Sequence, residues 1–242
     1  MKKILKLAAA FILIFVCTAA AFTVSASNFE DRAATLKELG LFYGASNGDF
    51  ELDRAATRAE AATMLVRLMG KEKQALSGTY SYPFTDVPQW AEKYIGFLYQ
   101  NKLAYGISES EFGCADECSG QMYLTFLMRV LGYSDANGDF SYEKVQEFAA
   151  SKGLFTSSTL ASGDFLRDDI AALSYSVLFT ETKDSEEILL KKMDSDGALD
   201  KQAYEKYAAI YDAFNEYSKK SAANSKMTSM QLSAKADMKI TS

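Results

Sequence analysis

The feature that most limits what this chain can fold into is a three-part grammar used three times: an apolar helix, a polar loop, a second apolar helix. The first copy runs Leu36-Lys37-Glu38-Leu39-Gly40-Leu41-Phe42-Tyr43-Gly44, turns at Asn47-Gly48-Asp49-Phe50, and reopens at Thr57-Arg58-Ala59-Glu60 into an apolar stretch ending at Gly70. The second runs from Phe97 to Gly106, loops through Cys114 and Cys118, and reopens at Ser119 toward Gly132. The third runs from Phe148 to Phe155, loops through a Ser/Thr/Gly stretch, and reopens at Leu166-Arg167-Asp168-Asp169-Ile170 toward about Thr180. Leu41 and Leu103 are 62 residues apart and Leu103 and Leu154 are 51 apart, so length differences fall in loops. A two-helix unit cannot bury its apolar stripe alone, but three packed together can share a core. The expectation is an all-α, pseudo-threefold bundle over residues 27–180, with units at about 28–75, 80–133 and 139–180.

Local chemistry supports the helices. Thr57 and Glu60 stand at capping-box spacing, where the threonine hydroxyl accepts from the third helical amide and the glutamate returns to the cap amide. Ala61, Met64, Leu65 and Leu68 then fall on one face, as do Trp90, Tyr94 and Phe97 after a second box at Asp86-Val87-Pro88-Gln89. Gly70 and Gly132 are placed to end their helices in a left-handed turn.

Residues 1–26 read as an address. Lys2, Lys3 and Lys6 precede an uncharged apolar run, Leu7 to Ala21, and Val24-Ser25-Ala26 offers the small residues of a cleavage site. Phe15 and Val16 are too large for a lipoprotein signal at Cys17. Removal of the segment takes the net charge from −6 to −9, leaves no membrane anchor, and leaves Cys114 and Cys118 as the cysteines of an exported chain. A tight disulfide between them and a pair of free thiols both remain open. No histidine occurs, which removes imidazole catalysis, and no second cysteine pair completes a metal site. A pI near 4.9 argues against nucleic-acid binding through a basic surface. No catalytic fingerprint or cofactor motif is present, so the chain reads as a non-enzyme.

Several of these pieces resemble the S-layer homology family, whose repeat runs F-x-D-V, W-A-x-x-x-I, G-x-F and T-R-A-E: here Phe84-Thr85-Asp86-Val87 and Trp90-Ala91 with Ile95 in the second unit, and Asn47-Gly48-Asp49-Phe50 and Thr57-Arg58-Ala59-Glu60 in the first, stand in for those parts. Met122-Tyr123-Leu124-Thr125 and the stretch from Leu127 to Tyr133 look like a divergent second copy, and the resemblance covers about residues 28–180. It implies non-covalent attachment to an anionic, often pyruvylated, secondary cell-wall polysaccharide, and a location at the wall or surface of a thick-walled bacterium. It also implies glycan contact by the arginine of T-R-A-E and by the tryptophan, here Arg58 and Trp90, with Arg167 at the corresponding place in the third unit. Physically, Arg58 at the start of a helix suits a carboxylate; alternatively it pairs with Asp53 or Glu51, and Trp90 is core. The second unit has Ser119-Gly120-Gln121-Met122 instead of the motif, and the third has Leu166 at the cap. Residues 28–75 hold seven basic and eight acidic residues, whereas 76–180 hold six and thirteen, so the first unit is the better host for an anion.

Beyond the units, residues 181–224 read as a charged helical tail broken at Asp196-Gly197. Tyr204, Tyr207, Tyr211 and Phe214 form an aromatic stripe within residues 199–217, which docks either on the bundle or on a protein partner. Asp194, Asp196, Asp200 and Glu205 echo a calcium loop but lack its glycine, so a turn is the reading. Residues 232–241 alternate apolar and polar, which predicts a terminal strand that pairs elsewhere or opens a further domain. The rival functions are a scaffold binding a partner through the aromatic tail, and the anchor of a longer secreted protein.

Overall fold

The computed structural model describes residues 30–44, 48–154, 164–185 and 187–240, the last twenty of these by backbone alone. The expected signal segment 1–26, the Asn47 turn residue and the expected Ser/Thr/Gly loop of the third unit lie outside the described residues. The fold is all-α. In chain order the helices are α1 (Glu30–Glu38), α2 (Arg58–Leu68), α3 (Glu72–Ser77), α4 (Glu92–Gln100), α5 (Gly120–Val130), a 3-10 turn (Tyr142–Lys144), α6 (Val145–Ser151), α7 (Arg167–Leu178), α8 (Leu189–Ser195) and α9 (Lys201–Ile240).

The three units close a ring. The second helix of each unit packs on the first helix of the next: α2 on α4, α5 on α6, and α7 back on α1. The shared core is built from the stripes seen in the sequence, with Leu36, Leu65, Leu68, Ile95, Leu98, Tyr123, Leu124, Phe126 and Leu127 fully buried. Each such side chain contributes about 1.5–3 kcal/mol of transfer free energy, which is why no pair of helices is stable without its neighbours. Every first helix ends the same way. The amides of Leu41, Leu103 and Leu154 return to the carbonyls of Leu36, Leu98 and Ala149, across a residue at positive φ. That residue is Gly40, Lys102 or Gly153, so the middle unit accepts a strained lysine (φ 59°) where the others use glycine.

The second helices start differently. At α2 the capping box is complete: the Thr57 hydroxyl accepts from the Glu60 amide at 3.2 Å, and Glu60 accepts from the Thr57 amide at 2.9 Å. At α5 the Ser119 hydroxyl accepts from the Met122 amide, also at 3.2 Å. Leu166 has no oxygen to give, so α7 keeps only the reverse bond, from its amide to Asp169 at 2.9 Å.

The tail departs from two expectations. Among the described residues of the stretch 181–198, Leu189–Ser195 are the helical ones before the break at Gly197 (φ +68°); Glu181 and Ile188 form an isolated antiparallel bridge instead. The strand expected over 232–241 is not formed, because α9 continues to Ile240. Leu232, Ala234, Lys235, Ala236, Met238 and Lys239 are strong helix formers, and a lone strand would have no ladder to join. The aromatic stripe docks in cis: Tyr207 donates to Glu38 at 2.6 Å and Tyr211 stacks on Phe179 at 5.5 Å, whereas Ile210, Phe214 and Tyr217 are exposed. Among the described residues, no helix is long and apolar enough to cross a membrane.

Candidate functional site

The ring of units creates seams where the polar loop of one unit meets the second helix of another. At the first seam the loop of the second unit lies against the start of α2. Asp116 and Cys114 carbonyls accept from the Arg58 and Ala59 amides at 2.8 and 3.3 Å, and the Cys118 amide donates to Ala56 at 2.9 Å. Those amides are the ones a helix start leaves unpaired, so the loop is fixed by the helix it covers. Asp86 fixes it from the other side, accepting from the Phe112, Gly113 and Cys114 amides at 2.7, 2.7 and 2.8 Å. Burial alone pushes the Asp86 carboxyl up, but the three backbone donors outweigh it and hold it below the usual carboxylate range.

This clamp positions Arg58. The side chain is buried, at 5% exposure. Its Nε donates to the Phe112 carbonyl at 2.8 Å and its Nη2 to the Tyr105 carbonyl at 2.6 Å. The guanidinium lies 4.7 Å from the Phe112 ring centre and 5.2 Å from that of Phe126. Neither Asp53 nor Glu51 reaches it; Arg54 takes Glu51 and Glu60 instead, at 2.8 Å each. Arg58 thus meets carbonyl dipoles and ring faces, not a carboxylate, among the described residues. Burial lowers its pKa and outweighs the opposing influences of Cys118, Tyr142 and Asp116, while Arg129 across the seam acts in the same direction as burial.

A pocket of about 290 Å³ opens beside this guanidinium, lined by Arg58, Tyr105, Ile107, Met122, Phe126, Arg129 and Tyr142 among others. Arg129 rises from α5, is held side-on by Asp135 at 2.9 and 2.6 Å, and lies over the Tyr105 ring at 4.6 Å. Hydrogen bonds from Arg129 hold the Asp135 carboxyl below its usual range. One arginine of the pocket is therefore neutralised and the other is not. The arrangement offers guanidinium donors, one uncompensated positive charge and aromatic faces in a small concave site.

The other expected site residues fall elsewhere. Trp90 is not core, being 54% exposed, and it does not line this pocket. Arg167 is buried at 6% and donates to the Phe50 carbonyl at 2.9 Å and to the Met64 thioether, in a separate seam. Cys114 and Cys118 are free thiols, so the disulfide left open by the sequence is not formed. Their backbones are committed to opposite partners, Cys114 to Asp86 and Ala59, Cys118 to Ala56. Burial pushes each thiol up to about 12. Arg129 and Tyr105 were legible only as a repeat of a repeat: Arg67 and Arg129 each follow the helix cap by ten residues, and Tyr43 and Tyr105 each precede a glycine.

No family model matches the chain. It is 29% identical over 185 residues to a cell surface protein of Thermoanaerobacter kivui, covering 72% of this chain and 24% of that protein. It is 31% identical over 106 residues to a surface layer protein of Brevibacillus choshinensis, covering 43% of this chain and 10% of the relative. A middle cell wall protein of Brevibacillus brevis is 30% identical over 109 residues, again a match to 10% of its length. The chain therefore spans a quarter or less of the relatives it matches. These likenesses make it a cell-surface protein, exported to the surface or wall.

Proposed function

We propose that the three units form an S-layer-homology-like module that holds the protein non-covalently to an anionic secondary cell-wall polysaccharide. The observation that carries this reading is Arg58: a buried guanidinium without a carboxylate partner, beside a sugar-sized pocket walled by Tyr105, Phe126 and Tyr142. An acidic substituent supplies the missing charge, and aromatic faces suit the apolar side of a sugar ring. The volume lies near the lower end of the roughly 300–1,000 Å³ typical of small-molecule sites, so one acidic sugar is the unit recognised. The relatives' names, which speak of the cell surface, the surface layer and the cell wall, support a wall-associated role.

The experiment is co-sedimentation of the mature chain with polysaccharide-bearing wall sacculi. Binding should fall when the polymer's acidic substituents are removed, and Arg58→Lys should weaken it, since a lysine keeps the charge but loses the fork. Undiminished binding of Arg58→Lys to intact walls, and equal binding to stripped ones, would sink the assignment.

A further inference from the structure

Because the units close a ring, the positions of the first seam have counterparts at the second, and its helix positions have counterparts at the third. At the second seam Arg167 takes the place of Arg58, and its Nε bonds the Phe50 carbonyl as that of Arg58 bonds Phe112. Tyr43 takes the place of Tyr105 and Arg67 that of Arg129, again guanidinium over ring, at 5.1 Å. The backbone match extends to the helix start, where the Arg167 and Asp168 amides donate to Arg54 and Leu52 at 2.9 and 3.1 Å. Two seams are thus built on one plan and differ in charge.

The difference lies at one position of the second helix. Met122 of α5 lines the first pocket, and its counterpart on α2 is Glu60. Glu60 brings Arg54 with it at 2.8 Å, Arg54 brings Glu51, and Arg67 is taken by Glu72 at 2.7 Å. Arg167 therefore sits in a network of three arginines and three glutamates, in which Glu60 and Glu51 act on it against the stronger opposing influence of Arg54. Its Nη1 is turned onto the Met64 sulfur at 3.5 Å. An incoming carboxylate there would be crowded by Glu60 and Glu51, which already engage Arg54. At the first seam two arginines line a pocket with no carboxylate among its described lining residues; Asp135 pairs with Arg129, and the exposed Asp116 acts on Arg58 less strongly than Arg129 does. At the third seam the plan lapses: Gly120 replaces the first arginine and Ser176 the second. A side chain at Gly120 would come within 3.2 Å of the Phe165 ring, which fills the space an arginine would use.

We infer that this chain is monovalent: among the described residues the Arg58–Arg129 seam is the one that accepts an acidic sugar, and Arg167 is a positioning residue that ties the loop of the first unit to α7. The inference rests on the glycan reading above and narrows it. One weak site per chain gives a tether that exchanges, because nothing raises the effective concentration of a second contact.

The test is a titration of the mature chain with a pyruvylated methyl hexoside as probe, followed by calorimetry and by the arginine Nε–H resonances in ¹H–¹⁵N spectra. The expected result is a stoichiometry of one, with the Arg58 resonance moving and that of Arg167 still. Arg58→Gln should weaken binding about tenfold or more, the loss of one charge-assisted contact, while Arg167→Gln stays within about twofold on the same scale. Should Arg167→Gln fail to fold, the wild-type resonances decide alone. Two sites, or a shift at Arg167, overturn monovalency and leave the glycan reading standing. No heat and no shift at either arginine overturn both.

Discussion

Replacing Asp86 by asparagine tests whether the loop that carries Arg58 is held from outside the pocket. The carboxylate accepts three backbone N–H groups at 2.7–2.8 Å. Asparagine keeps the oxygen facing Phe112 but turns an NH₂ toward the Gly113 and Cys114 amides, donor against donor. Two hydrogen bonds to a charged acceptor are worth about 1.5–3 kcal/mol each in a buried setting. Asp86 is half-buried, so water recovers part of that, and the net loss should be about 2–3 kcal/mol. For a domain of this size that lowers Tm by about 4–12 °C. The pH dependence has a definite sign. The folded-state pKa is depressed, so the stabilisation is present above the ordinary carboxylate pKa and lost as pH falls through the folded value. The gap between wild type and Asp86→Asn should be full at pH 7 and shrink below about pH 4. Urea unfolding followed by circular dichroism from pH 7 to pH 3 measures both. A gap under about 0.5 kcal/mol at pH 7, within the scatter of ordinary surface changes, refutes the clamp. So does a gap that does not narrow with acid. Because the Phe112 carbonyl holds Arg58, sugar binding should weaken as well, although Asp86 does not line the pocket.

Gly70 sits at φ +64°, and a Cβ there would lie 2.5 Å from the Cβ of Ala198, so Gly70→Ala should destabilise by more than about 1 kcal/mol in thermal unfolding. Tyr123→Phe removes a bond of 2.6 Å between two buried hydroxyls and strands Ser174, which should cost about 1–2 kcal/mol by the same measurement. Cys114 and Cys118, at 6% and 2% exposure, should react with a thiol reagent about a hundredfold or more slowly in native buffer than in urea, with two thiols released on unfolding. Fewer than two would show that the oxidised form is the one the exported chain adopts.

The helices were legible because their causes are local. Thr57 and Glu60 announce a helix start wherever they stand at that spacing, and Leu65 and Leu68 can be buried only by a partner. Three such units in one chain made an all-α bundle the economical solution. The terminal strand misled for the opposite reason: the alternation at 232–240 is weak evidence against the helix propensity of its own alanines and lysines. Trp90 shows the limit of periodicity, since its place at the head of an apolar stripe did not make it core.

What the sequence alone determined is the all-α class and the caps of α2 and α5. Each depends on residues a few positions apart. What tertiary structure decided is which charges meet. Arg58 lies 54 residues from the carbonyl that holds it, and Arg129 enters its pocket from another unit. Glu51, a neighbour in sequence, is taken by Arg54 instead. Charge in a folded chain is compensated by proximity in space, and only ring closure sets that. So two arginines in equivalent positions, Arg58 and Arg167, come to face different fields.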